Sequence, residues 1–91
     1  MRFTWDVRKN RANVVRHGIA FKDAARIFEG PTLEKTDDRY DYGETRVYAI
    51  GLVNGIEVTV IYVDRGNQER RIISAWRATR HEREAYWENL R

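Results

Sequence analysis

The run RVYAIGLVNGIEVTVIYV, residues 46–63, constrains the fold of this chain more than any other stretch. Two segments rich in β-branched and aromatic residues flank Asn54-Gly55, and a type I′ turn needs positive φ at both of its central positions, which Asn and Gly tolerate best. The spacing therefore predicts a β-hairpin. Arg65-Gly66-Asn67 supplies a second turn, and residues 70–76 read as the next strand. Side chains two apart on a strand share a face, so simple alternation puts Arg71, Ile73, Ala75 and Arg77 on one side and Arg70, Ile72, Ser74 and Trp76 on the other.

Helical signals flank this sheet. Asp6 is placed to cap a helix over about 7–16, with Gly18 stopping it after His17 and Trp5 packing back on the cap. Phe21, Ala24, Ala25 and Phe28 follow the i, i+3, i+4, i+7 spacing of a second helix, which Gly30-Pro31 ends. Thr79 and Glu82 form a capping-box pattern at the start of a last helix, with Ala85, Tyr86 and Leu90 as its apolar stripe. The polar segment 34–44 reads as a loop with room for a short strand at its beginning. The expected architecture is a single α+β domain with two N-terminal helices, a four-stranded antiparallel sheet and a C-terminal helix.

Composition excludes several chemistries. With no cysteine among 91 residues, neither a disulfide nor a thiolate zinc site is available. No Gly-rich phosphate loop, GxSxG elbow or HExxH pair occurs, and His17 and His81 lack metal-ligand spacing. Asp37, Asp38 and Asp41 lack the regular spacing of a calcium loop, so no metal or cofactor is expected. The N-terminus is charged from the start and no window is apolar enough to span a bilayer, which points to a cytoplasmic protein without a membrane partner.

Charge is distributed unevenly. Residues 1–29 carry seven Lys/Arg against three Asp/Glu, residues 30–64 carry three against seven, and residues 65–91 carry seven against four. Basic ends around an acidic middle make a one-sided field that attracts a polyanion. Most of the cations are arginine, whose planar fork suits phosphate oxygens. The start of the last helix adds free amides at residues 79–82 beside Arg77, Arg80 and Arg83, a local anion site that Glu82 itself partly fills.

Specific motifs strengthen this picture. Trp5-Asp6, Lys9, Asn13, Arg16-His17-Gly18, Phe21, Ala24, Phe28 and Pro31 follow, in order and spacing, the N-terminal signature of the BrnT toxins of bacterial type II toxin-antitoxin systems. Glu44, Arg46, Arg65, the run Arg71 to Ala75, Ala78-Thr79, Glu82 and Tyr86 follow its C-terminal half. The chain thus resembles BrnT over essentially its whole length. That resemblance implies a RelE-like fold and a ribonuclease that stops translation without a cofactor. It also implies a cognate BrnA antitoxin whose ribbon-helix-helix part lets the complex bind its own promoter DNA.

Metal-free RNA cleavage by attack of a 2′-hydroxyl needs a proton acceptor, stabilisation of the phosphorane charge and a proton donor for the leaving oxygen. Arg46, Arg65 and Arg71 match basic positions of the family and are the expected phosphate clamps, with His17 as the acid-base candidate. Lys9, Arg77, Arg80 and Trp76 are the expected RNA contacts. Where the family typically carries an arginine after the Ile-Ile-Ser-Ala run, this chain has Trp76, and Arg77 moves the charge one residue along. A non-catalytic member working only in a DNA-binding repressor complex is the competing expectation.

Overall fold

The computed structural model describes residues 1–90. Its order is β1 (Arg2–Trp5), α1 (Val7–His17), α2 (Phe21–Ala24) continuing as a 3-10 helix (Ala25–Glu29), β2 (Leu33–Asp37), β3 (Arg46–Val53), β4 (Ile56–Arg65), β5 (Glu69–Arg77) and α3 (Arg80–Asn89). No helix among the described residues is long and apolar enough to cross a membrane.

The hairpin forms as expected, with Asn54 at φ 51° and Gly55 at φ 77°. The sheet around it corrects the expectation: it has five strands in the order β1-β5-β4-β3-β2, and β1 runs parallel to β5. Four residues are too few to display a period of two, and the partner of β1 lies more than sixty positions away. The short strand allowed for at the start of the acidic segment is β2, paired antiparallel to β3.

The second N-terminal helix is also shorter than the apolar spacing implied. One α turn tightens into a 3-10 segment that presses Ile27 onto β3 at Gly51. A Cβ on Gly51 would lie 2.7 Å from Ile27 Cβ, so only glycine admits this approach. Phe21, Ala24, Ile27, Ala49, Val58, Val60, Tyr62, Ile72 and Ala75 form the main core beneath that layer. On the other face Tyr86 of α3 and Ala78, just before its cap, pack against Ile50, with Leu33, Tyr48 and Leu52 around them.

One irregularity in β5 controls what faces where. Ile61 pairs with Ser74 but Tyr62 pairs with Ile72, so Ile73 is an extra residue in β5. Such a bulge shifts the facing of everything beyond it. The expected strict alternation is therefore corrected: Ile72 and Ala75 both enter the main core, while Arg71, Ser74 and Trp76 share the α3 face.

Beyond the reach of β1, the edge of β5 is completed by a side chain. Asn13 of α1 is buried; its Nδ2 donates to Ala75 O at 2.8 Å and Ile19 O at 2.9 Å, and its Oδ1 accepts from Ala75 N at 3.2 Å. The amide thus takes the place of a further strand, joining α1 to β5. Replacing it leaves a buried backbone donor and acceptor unpaired, each costing about 1–3 kcal/mol. Asn13→Leu is accordingly expected to lower unfolding free energy by roughly 2–4 kcal/mol in urea denaturation; a loss below about 1 kcal/mol would show that water replaces the amide.

Candidate active site

The register of the sheet builds the site. On the α3 face, Asp37 of β2 pairs with Arg46 of β3, Val63 of β4 pairs with Arg71 of β5, and Arg71 pairs with Thr4 of β1. Because Val47 pairs with Tyr62, Arg46 falls opposite Val63. These residues make one row across the sheet, with Arg46 and Arg71 on either side of Val63 and roughly 10 Å apart at their backbones. Arg65 lies two residues along β4 from Val63 on the same face. The cluster under α3 extends only as far as Leu33, Tyr48, Ile50 and Leu52, leaving the arginine row beyond it.

The segment between β2 and β3 folds onto this row. Glu44 bridges two of the arginines, with Arg46 Nε donating to its Oε2 at 3.2 Å and Arg65 NH2 lying 3.8 Å from its Oε1. Arg46 also stacks over the Tyr42 ring at 4.0 Å. Asp37 is buried and receives Arg39 in a forked pair at 2.8 and 3.0 Å, with Tyr42 donating at 3.3 Å. The Arg39 hydrogen bonds hold the Asp37 carboxyl below its ordinary range against the opposing effect of burial. Arg71 has no salt bridge among the described residues, unlike Arg46, Arg65 and Arg70. Its charge is felt at Asp6, whose pKa is lowered first by the amides of Lys9 and Arg8 and further by Arg71.

Trp76 lies on the same face, one row under α3. Its ring is 6.0 Å from Tyr48 and 6.3 Å from His17, and its indole N–H donates to Glu82 Oε1 at 3.1 Å. His17, exposed in the last turn of α1, is thereby brought to the border of the face. The same Glu82 oxygen accepts from Thr59 Oγ1 at 3.0 Å and Thr79 N at 2.7 Å, so the expected capping box also ties α3 to β4 and β5.

Other expected contacts lie elsewhere. Arg77 pairs with Val58 and points to the opposite face, lining a cleft with Gly18, Asp23 and Arg26. Arg80 is exposed and paired with Glu84 at 3.0 Å, and Arg83 donates to Ala78 O. The expected anion site at the start of α3 is therefore not assembled: Glu82 takes the Thr79 amide and the nearby arginines face away or pair with other groups. Lys9 is exposed on α1. Alternation over 44–48 could have added Glu44 and Tyr48 to the candidates, since they share a face with Arg46; Lys35 joins them only through the pairing of β2 with β3. Among the described residues no three His, Cys, Asp or Glu side chains gather where they could hold a metal ion.

Residues 5–82 match the family described as the ribonuclease toxin, BrnT, of type II toxin-antitoxin systems. The chain belongs to the BrnT family. The crystal structure of the Brucella abortus ribonuclease toxin BrnT shares the fold with a TM-score of 0.67 and 29% identity, over 88% of this chain and 99% of that one. No curated protein sequence matches. The matched span of this BrnT-family chain contains the whole arginine row, Glu44 and Trp76, and ends at Glu82, the residue that fastens α3 to the sheet.

Glu82 gives the face a pH signature. Burial raises its pKa, only partly offset by the Thr79 amide and the charges of Arg39 and Lys35. A carboxyl raised on folding binds its proton more tightly in the native state, so its contribution is full at low pH and is lost as pH rises past the ordinary value of 4.5. Glu82→Gln keeps an acceptor for all three donors without the charge. Unfolding titrations are expected to show the stability of wild type relative to Glu82→Gln falling from pH 4 to pH 7; a difference that rises over that range contradicts the assignment.

Proposed function

We propose that this chain is an endoribonuclease toxin whose arginine row holds a phosphodiester of RNA. The observation that carries this reading is the Glu44 carboxylate held between Arg46 and Arg65, an internal anion where a phosphate would bind. Incoming RNA displaces Glu44 from that pair, and Arg71, without a salt bridge of its own, takes the second side of the phosphate. The 2′-hydroxyl then attacks the adjacent phosphorus, the P–O5′ bond breaks, and the arginines stabilise the charge of the phosphorane between these events. Arginine stays protonated at neutral pH and cannot move protons. The proton acceptor is the released Glu44, and water supplies the proton to the 5′-oxygen; His17, the expected acid-base residue, lies beside Trp76 opposite Thr59, at the other end of α1 from the row.

Family membership supports a toxin neutralised by a cognate antitoxin, and a BrnA-like protein with a ribbon-helix-helix part would carry the pair to promoter DNA. A second reading, a member that keeps the antitoxin contact without cutting RNA, is favoured by one observation. Trp76 occupies a position where the resemblance implies arginine, and its indole is committed to Glu82.

The two readings separate with purified, antitoxin-free protein and total RNA in EDTA. Wild type is expected to cut, and Arg46→Ala and Arg71→Ala to lower the rate by roughly 100-fold each, the typical loss when one group stabilising transition-state charge is removed. Arg80→Ala, outside the face, is expected to retain wild-type activity. Intact RNA at high protein concentration rejects the ribonuclease, and loss of cutting on chelation rejects the metal-free route.

A further inference from the structure

Beside the arginine row, the α3 face opens into a cleft of about 290 Å³ between the β2–β3 pair and α3. Leu33, Ile50 and Ala85 make its apolar lining, and Tyr48, Lys35 and His81 bring aromatic and basic groups to it. The volume is at the small end for ligand pockets and suits one planar ring system better than a peptide segment. Tyr48 connects the cleft to the row, since it lies two residues from Arg46 on the same strand and face. Lys35 Nζ stands 5.7 Å from the Tyr48 ring centroid.

The cleft also contains an unused acceptor. Glu82 is 8% exposed, and Oε1 alone takes its three hydrogen bonds from Thr59, Trp76 and Thr79. Oε2 accepts none among the described residues, yet no side-chain polar atom is sealed in the interior without a partner. Glu82 lines the cleft, with its Oε1 turned to Thr59, Trp76 and Thr79. A buried carboxylate with one oxygen fixed by three donors is a rigid reader for an N–H group.

Resting on the ribonuclease reading, we propose that this cleft receives one unpaired nucleobase of the RNA, next to the phosphate held by Arg46. The base stacks on Tyr48 and offers an N–H edge to Glu82 Oε2, while Lys35 donates to a ring or carbonyl acceptor of the same base. Stacking on an aromatic side chain holds any base in the cleft, and hydrogen bonds to a base edge discriminate among bases at a level that makes a cleavage bias on the order of tenfold. The cleft thereby sets where the RNA is cut, while the arginine row sets that it is cut.

Sequencing of RNA ends after digestion tests this, because the distribution of cut sites is read independently of the rate. Wild type is expected to prefer one base beside the cut by about tenfold, and Ala85→Phe, which fills the cleft, to bring that preference to within about twofold. Tyr48→Leu, which keeps the apolar packing, is expected to do the same. A bias unchanged in both variants overturns the base site while leaving the ribonuclease intact, as does loss of antitoxin affinity in Ala85→Phe with the bias preserved. If no RNA is cut, the ribonuclease reading fails, and titration with the four nucleoside 3′-monophosphates decides the cleft alone. Saturable NMR shifts at Tyr48 and Ala85 that Ala85→Phe abolishes support it, and their absence overturns it.

Discussion

The extra residue at Ile73 is the constraint on which the α3 face depends, because it changes the parity of β5 partway along its length. Without it, Ile72 and Ala75 would face opposite ways, and one of two fully buried core positions would be lost to the other side. With it, Arg71 and Trp76 come to the same face although they stand five positions apart. A bulge leaves one backbone unit out of the ladder and bends the strand. Here that local cost is accompanied by a row of charges that strict pleating would have divided between two faces.

Two side chains then hold the C-terminal end of this strand in place. Asn13 supplies the hydrogen bonds that β1 is too short to give at Ala75, and Glu82 collects donors from β4, β5 and the α3 cap on a single oxygen. Both are buried polar groups that meet several partners, Asn13 through three hydrogen bonds and Glu82 through three on Oε1, because an unpaired polar group in the interior is costly. The result is a face whose lower half is packed under α3 and whose upper half carries Arg46 and Arg65 around the carboxylate of Glu44, with Arg71 in the same row across the sheet. Electrostatically, Arg46 and Arg65 are already arranged around one negative charge, so the phosphate proposed for this site would meet groups that need little reorganisation.

Much of the fold was legible in the residues themselves. Asn54-Gly55, the Asp6 cap, Gly18 and the Thr79–Glu82 box are local devices, each settled by the conformational preferences of a few adjacent residues, and all are present. The strand β1 and the 3-10 segment were not legible. One depends on a partner far along the chain, and the other on how closely Gly51 lets a helix approach the sheet. For the site, residue type and family pattern pointed to Arg46, Arg65 and Arg71. They did not show that Arg77 and Arg80 lie elsewhere, because charge and spacing carry no information about which way a bulged strand turns its side chains.

The sequence by itself determined the local turns and caps, the basic character of the chain and its BrnT pattern, since each resides in residue identities at short range. Only the tertiary structure decided which arginines meet, that Glu44 sits between two of them, and that Trp76 is held by Glu82 beside Tyr48. Those facts follow from strand register and from contacts between residues distant in the chain. A one-residue change in register reverses the facing of every side chain beyond it.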